Sequence, residues 1–293
     1  VKRIYGDESK QLEIPDLVHF ASWVGGDMDG NPNVNAKTIR ATLARQRSLI
    51  LDLYYNECAA ISAKLSQSVD CASFSQGMLD KIEEYRGIFQ NAYHAVPARH
   101  REMPYRVFLR LVQQRLQSTY DDDIYPYEKV EQLIEDIELI AESLSCNKGR
   151  HAGLFVVRRL LRRIRAFGFH MVTLDVRQDA EVHRKVVGEC LGDEDWLERT
   201  AEERAERIIE AINTRESAPM TLSTQARKTI AVFQAIAFCR RKYGSRAIGT
   251  FIVSMTEGAD DVLSVLLLAQ WGELHNRRGE VPLDIAPLLE TVD

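Results

Sequence analysis

Apolar positions recur near a 3.6-residue period over residues 35–65, where Ile39, Leu43, Leu49, Ile50, Leu53, Tyr54 and Ile61 predict one long helix. Helices also fit residues 76–93, 101–119 and 127–145, with turns at Pro97 and over the acidic run 121–123. Pro104 falls in the first turn of its helix, where a missing N–H costs little. Ahead of these, residues 1–16 are polar and read as irregular. Residues 17–23 predict a short buried strand entering a Gly/Asp/Asn turn over 25–33. The second half changes rhythm. A basic helix over 152–166 leads into Phe169-His-Met-Val-Thr-Leu-Asp-Val, an apolar run of strand length. Helices follow over 179–191, 195–213 and 222–242. Residues 247–254, rich in β-branched side chains and flanked by Gly244 and Gly258, predict a strand. A helix over 259–272 and a largely apolar strand over 281–288 complete the pattern.

Strands that are mostly apolar rather than alternating, separated by helices, indicate a parallel sheet covered on both faces. Helix dominates, so the reading is a predominantly helical α/β chain, part of an α/β barrel with large helical insertions. Composition narrows the function. The 45% hydrophobic and 28% charged residues exclude wholesale disorder. The balance of 38 basic against 43 acidic residues argues against nucleic acid as a partner. Apolar stretches fall far short of the roughly 20 residues of a membrane helix, so no membrane partner is expected. The five cysteines are scattered, form no CxxC pair and suggest reduced, mostly buried thiols of a cytoplasmic protein. The sequence starts without Met or a secretion signal and stops directly after an expected strand. It reads as a piece of a longer protein.

All four expected strands run into polar residues: Gly26-Asp-Met-Asp-Gly-Asn-Pro, Asp175-Val-Arg-Gln, Ser254-Met-Thr-Glu and Glu290. In a parallel barrel such strand ends converge on one mouth, where active sites lie; as isolated features they are ordinary turns and caps. Asp27, Asp29 and Asn31 invite a calcium reading, which fails because Pro32 and Thr38 occupy the glycine and bidentate-glutamate positions of an EF-hand loop. Gly25 and Gly26 beside this cluster fit a tight loop whose backbone approaches something closely, or a turn capping the long helix. Arg177 suits bidentate capture of a carboxylate or phosphate; spacing alone favours a salt bridge to Asp175 or Asp179. Glu290 could hold Mg²⁺ or Mn²⁺ together with substrate oxygens and waters, or cap a following helix. Arg158, Arg159, Arg162, Arg163 and Arg165 form a basic amphipathic helix, expected to be solvated or paired with acids. His183 reads as a packed or surface histidine.

The segment Phe20-Ala-Ser-Trp-Val-Gly-Gly-Asp-Met-Asp-Gly-Asn-Pro-Asn-Val resembles a signature of the phosphoenolpyruvate carboxylase family. Leu174-Asp-Val-Arg-Gln-Asp-Ala-Glu-Val-His is similar to that family's DIRQES segment. Ser254-Met-Thr-Glu-Gly-Ala-Asp-Asp-Val-Leu resembles its SMA…SDVL segment, and Ala286-Pro-Leu-Leu-Glu-Thr-Val-Asp its APLFETLDDL segment. The four stand in the family's order across essentially the whole chain. The resemblance implies that residues 1–293 are the middle portion of an eight-stranded α/β (TIM-like) barrel, with N- and C-terminal parts absent. It implies a homotetrameric parent that uses Mg²⁺ or Mn²⁺ to convert phosphoenolpyruvate and bicarbonate to oxaloacetate and phosphate, through carboxyphosphate and pyruvate enolate. Arg177 matches the family's active-site arginine, which holds the phosphoryl group. Glu290 matches its metal-binding glutamate. Asp27, Asp29 and Asn31 match its GGDRDGNP loop, in a loop-organising role.

Three positions depart from the family's pattern. Met28 stands where an arginine is common between the two aspartates, and Thr256 and Asp260 replace the commoner Ala and Ser, read as mild changes. The family's HPT, GYSDS and GRGG motifs do not occur in these 293 residues. The chain alone is therefore expected to be inactive. Competing readings are another phosphoenolpyruvate-using barrel enzyme, set apart by a bicarbonate requirement, and a non-catalytic helical scaffold.

Overall fold

The computed structural model describes residues 2–5 and 18–290. Its elements are, in order, α1 (Lys2–Tyr5), β1 (Ala21–Ser22), α2 (Ala36–Lys64), α3 (Gln76–Ile88), α4 (Gln90–His94), α5 (Pro104–Asp121), α6 (Val130–Cys146) and α7 (Leu154–Phe167). Then come β2 (Thr173–Asp179), α8 (Ala180–Leu191), α9 (Ala201–Thr214), α10 (Thr224–Tyr243), β3 (Ile248–Ser254), α11 (Ala259–Trp271) and β4 (Asp284–Pro287). The expected helix-dominated α/β class with a parallel sheet is what the chain forms. Two compact units divide it, one of residues 1–20 and 51–168, the other of residues 21–50 and 169–293.

The first unit is helical. Its buried side chains come from the second half of α2 and from α3 to α7, with Tyr54, Tyr85, Tyr105, Phe108 and Tyr127 among the largest fully buried. The expected helix over 76–93 is interrupted at Phe89 (φ −109°, ψ 52°), whose ring turns inward to meet Tyr85 edge-on at 5.8 Å. Asp136 is buried and accepts hydrogen bonds from Tyr85 Oη (2.7 Å) and Tyr127 Oη (2.5 Å); burial still pushes its carboxyl up from the ordinary range. On α7, Arg159 and Arg163 face Glu57 (3.9 and 2.5 Å) and Arg165 faces Glu138 (2.5 Å), so much of the basic face is acid-paired as expected.

The second unit carries the sheet. Its order is β1-β2-β3-β4 and every pairing is parallel. Leu174, Val176, Phe251 and Val253 point into an apolar core shared with α8, α9, α10 and α11, where the Phe233 and Phe251 rings stack at 5.1 Å. The intervening residues Thr173, Asp175, Arg177 and Thr250 lie on the opposite side of the pleat and are partly exposed. β2 thus alternates, whereas on β3 Ile252 and Ser254 are buried on that side as well.

Local chemistry sets the element ends. Asn35 Oδ1 accepts from the Lys37 and Thr38 amides and starts α2 (2.9 and 3.4 Å). Asp179 caps α8 through the Glu181 amide (2.6 Å), and Ser223 caps α10 through the Ala226 amide (3.1 Å). The helix expected over 195–213 begins only at Ala201, because the Thr200–Glu203 capping box fixes its start there. The two outer strands are shorter and less buried than expected. β1 is two residues long, since Trp23 O takes up the Gly26 and Asp27 amides in a turn, and Ala21 is exposed at the sheet edge. β4 is four residues of mixed exposure at the other edge. Of the irregular stretch expected over 1–16, residues 2–5 form a helical turn; residues 1, 6–17 and 291–293 fall outside the described residues.

Candidate functional site

The strand expected over 169–176 is displaced to Thr173–Asp179, which moves Arg177 from beyond the strand into it. Pairing explains the shift. Arg177 N donates to Gly26 O (3.0 Å), and Arg177 O accepts from Met28 N (2.9 Å), so the loop after β1 continues the ladder past the apolar residues. That loop must pass very close to β2. A Cβ on Gly26 would sit 2.2 Å from Asp175 O, and Gly25 has φ +89° with Thr42 Oγ1 only 2.1 Å from where its Cβ would be. The expected tight loop with close backbone approach is what forms, and the glycine pair is its steric requirement.

The loop brings Asp29 onto Arg177. Asp29 Oδ2 lies 2.8 Å from Arg177 Nη2 and also accepts from Ser254 Oγ at 3.0 Å. Glu290 Oε1 lies 3.4 Å from the same Nη2, and its Oε2 lies 3.4 Å from the Met255 amide. The Trp23 ring stands 5.4 Å from the guanidinium carbon, a cation–π distance. Arg177 Nε is shielded from solvent and has no partner. The segment after β1, through Trp23 and Asp29, and Glu290 beyond β4 thus meet at one guanidinium on β2, with Ser254 of β3 bonded to Asp29.

The salt bridge favoured by spacing is not made. Asp175 instead accepts the Thr250 amide (2.9 Å), and Asp179 caps α8. Asp27 supports the loop, accepting the Asp29 amide at 3.2 Å, while Asn31 accepts the Asn33 amide at 3.1 Å. Neither side chain is brought to Arg177 by these bonds. Sequence reasoning missed Trp23 as a neighbour of Arg177 and Ser254 as the donor to Asp29. Both lie in the quoted motifs, at the ends of strands, and that position was the available signal.

The β3–α11 turn is built from acids. Met255 is in the left-handed region (φ +54°), Thr256 N donates to Leu288 O (3.0 Å), and Asp261 Oδ2 accepts the Glu257 amide (2.9 Å). Asp261 also holds Arg184 (2.7 Å), and Asp260 holds Arg204 (2.7 Å) with both side chains almost fully buried. Asp260 is thus half of a buried ion pair, a structural role. Met28 belongs to the apolar core. It also lines a cleft of about 940 Å³ with Asn31, Gln178, His183, Lys228 and Phe233. His183 is buried, as expected of a packed histidine, and desolvation lowers its pKa to about 4.

Among the described residues no three His, Cys, Asp or Glu side chains gather as a ready metal cage. Glu290 is loosely held and over one third exposed, so its carboxylate fits a Mg²⁺ or Mn²⁺ that takes its other oxygens from substrate and water.

A parallel sheet whose strand ends aim one arginine and two carboxylates at a common point is the layout of α/β proteins that handle anionic ligands. The family model described as phosphoenolpyruvate carboxylase matches residues 1–293, and the chain belongs to that family. It is 44% identical over 280 residues to the phosphoenolpyruvate carboxylase of Xanthomonas oryzae pv. oryzae, covering 96% of this chain and 31% of the relative. The Xanthomonas campestris protein of the same name is 43% identical over 293 residues, all of this chain and 32% of the relative. More distant is that of Aromatoleum aromaticum, 31% identical over 302 residues, 96% of this chain and 32% of the relative. The chain spans about a third of the length of these curated relatives.

Proposed function

We propose that the full polypeptide carrying these residues is a cytoplasmic, homotetrameric enzyme that carboxylates phosphoenolpyruvate with bicarbonate. In this reading the four parallel strands are half of an eight-stranded barrel, and its mouth is the active site. The observation that carries it is the meeting of Asp29 and Glu290 on Arg177 at the strand ends, with Ser254 holding Asp29, within a chain of this family. Among the described residues no helix is long and apolar enough to cross a membrane.

Arg177 binds the phosphoryl group. Bicarbonate attacks phosphorus, the bond to the enol oxygen breaks, and carboxyphosphate and pyruvate enolate result. Carboxyphosphate then releases carbon dioxide and phosphate, and the enolate carbon forms its bond to the carbon dioxide. Charge moves from the phosphoryl group to the enolate oxygen during the first step, and a fixed guanidinium offsets it without reorganising. Trp23 beside it helps exclude water, whose proton would divert the enolate to pyruvate. Glu290 would hold Mg²⁺ or Mn²⁺, which when bound supplies positive charge beside the substrate oxygens.

The test is oxaloacetate formation by the full-length polypeptide with phosphoenolpyruvate and Mn²⁺, with and without bicarbonate. Bicarbonate-dependent oxaloacetate is expected from it, and none from residues 1–293 alone, which lack the HPT, GYSDS and GRGG motifs. Turnover of phosphoenolpyruvate without any bicarbonate requirement would replace this reading with another reaction of the same substrate. Glu290→Gln is expected to raise the Mn²⁺ concentration for half-activation about 10-fold or more; an unchanged requirement removes Glu290 from the metal.

A further inference from the structure

The two carboxylates on Arg177 are not equivalent. The backbone leading into Asp29 is anchored twice: the Met28 amide bonds Arg177 O at 2.9 Å, and the Asp29 amide bonds Asp27 Oδ1 at 3.2 Å. Its Oδ2 takes two donors at once, Arg177 Nη2 at 2.8 Å and Ser254 Oγ at 3.0 Å. Those lengths are ordinary for a charge-assisted bond and a hydroxyl bond. Glu290 has only 3.4 Å contacts to Arg177 Nη2 and the Met255 amide, from a more exposed side chain. A ligand oxygen approaching the guanidinium displaces the weaker contact first. The acids nearest Arg177 in sequence are committed elsewhere, Asp175 to the Thr250 amide and Asp179 to the start of α8.

We propose that Asp29, held in place by Ser254, is the permanent partner and positioning residue of Arg177, whereas Glu290 is the exchangeable partner, released when an anionic phosphoryl ligand arrives. This rests on the reading of Arg177 as the phosphoryl-binding arginine. Asp29 fixes where the guanidinium points and keeps part of its charge compensated in the resting site. Its loss therefore affects the transition state, which needs the guanidinium in one orientation, more than ground-state attraction of an anion, which needs only positive charge.

The experiment uses the full-length polypeptide and the variants Asp29→Asn, Ser254→Ala and Arg177→Lys. Steady-state kinetics are paired with calorimetric binding of phosphoglycolate, which carries a phosphoryl and a carboxylate group. Asp29→Asn, nearly isosteric, is expected to lower kcat about 10-fold or more while phosphoglycolate binds as tightly as to wild type, or more tightly. Ser254→Ala is expected to move kcat the same way by a smaller factor. A kcat within about twofold of wild type in Asp29→Asn overturns the proposal, as does a fall in kcat matched by an equal weakening of phosphoglycolate binding. Arg177→Lys separates the two levels. If that variant keeps full turnover, the phosphoryl-binding reading itself fails. If it loses turnover and Asp29→Asn does not, only the positioning role fails.

Discussion

A titratable ring buried without a partner gives folding a pH dependence, and His183 is such a residue. Its ring lies among Phe233 and Phe251, its Nδ1 has no hydrogen-bond partner, and burial lowers its pKa to about 4, opposed only in part by the negative charge of Asp261. Between about pH 6.5 and 4 the unfolded chain therefore binds a proton that the folded chain does not. The stability tied to the neutral ring is complete above pH 6.5 and is lost as pH falls towards 4, amounting to about 3 kcal/mol. All three tryptophans, Trp23, Trp196 and Trp271, lie in the same unit, so their fluorescence reports its unfolding in urea. His183→Gln is expected to shrink the stability difference between pH 7 and pH 4.5 by most of that amount. An unchanged difference would mean that the ring is solvated or charged in the folded state.

At the scale of elements, α11 depends on acids that the sequence alone did not explain. Its first turn presents Asp260 and Asp261, favourable beside exposed helix amides, and each also neutralises a distant arginine. Arg204 is nearly buried, donating to Asp260 and to Arg199 O (2.5 Å). Asp260→Ala leaves that guanidinium without its charge partner and is expected to cost about 3–5 kcal/mol, measured by the same tryptophan signal. The double variant Asp260→Ala, Arg204→Met should recover most of the loss; a single-variant cost below about 1 kcal/mol would show that water reaches the arginine. Gly188 sets a second contact, between α8 and Trp196, where a Cβ would stand 2.5 Å from two indole carbons. Gly188→Ala is expected to cost about 1–3 kcal/mol by overpacking; wild-type stability would mean the indole can step aside. Helices were legible because the 3.6 period is a local signal, while caps such as Thr200, which the reading did not use, set their exact starts. Strand limits were less so, because Arg177 is held in β2 by the loop over Gly26–Met28, a pairing between segments about 150 residues apart.

Across the whole chain, the same division between local and distant information decides what could be read of the site. Arg177 and Glu290 were singled out because polar residues at the ends of parallel strands converge, and they do meet. The partner that holds Arg177 most closely was not predictable from spacing, since Asp175 and Asp179 are nearer in sequence than Asp29 and on the same side of the strand. Asp29 reaches Arg177 only because Gly25 and Gly26 let the loop pass against β2. The organisation into a helical unit and a sheet-bearing unit likewise depends on contacts between distant segments, and α2 contributes residues to both. In the proposed function Arg177 is the group that meets phosphoenolpyruvate. The most direct measurement is bicarbonate-dependent oxaloacetate formation by the full-length polypeptide and its Arg177→Ala variant, assayed side by side with Mn²⁺. A loss in kcat of at least about 100-fold, with the thermal unfolding of the two proteins unchanged, is the predicted result. Wild-type-like turnover in Arg177→Ala would contradict it and remove Arg177 from the site.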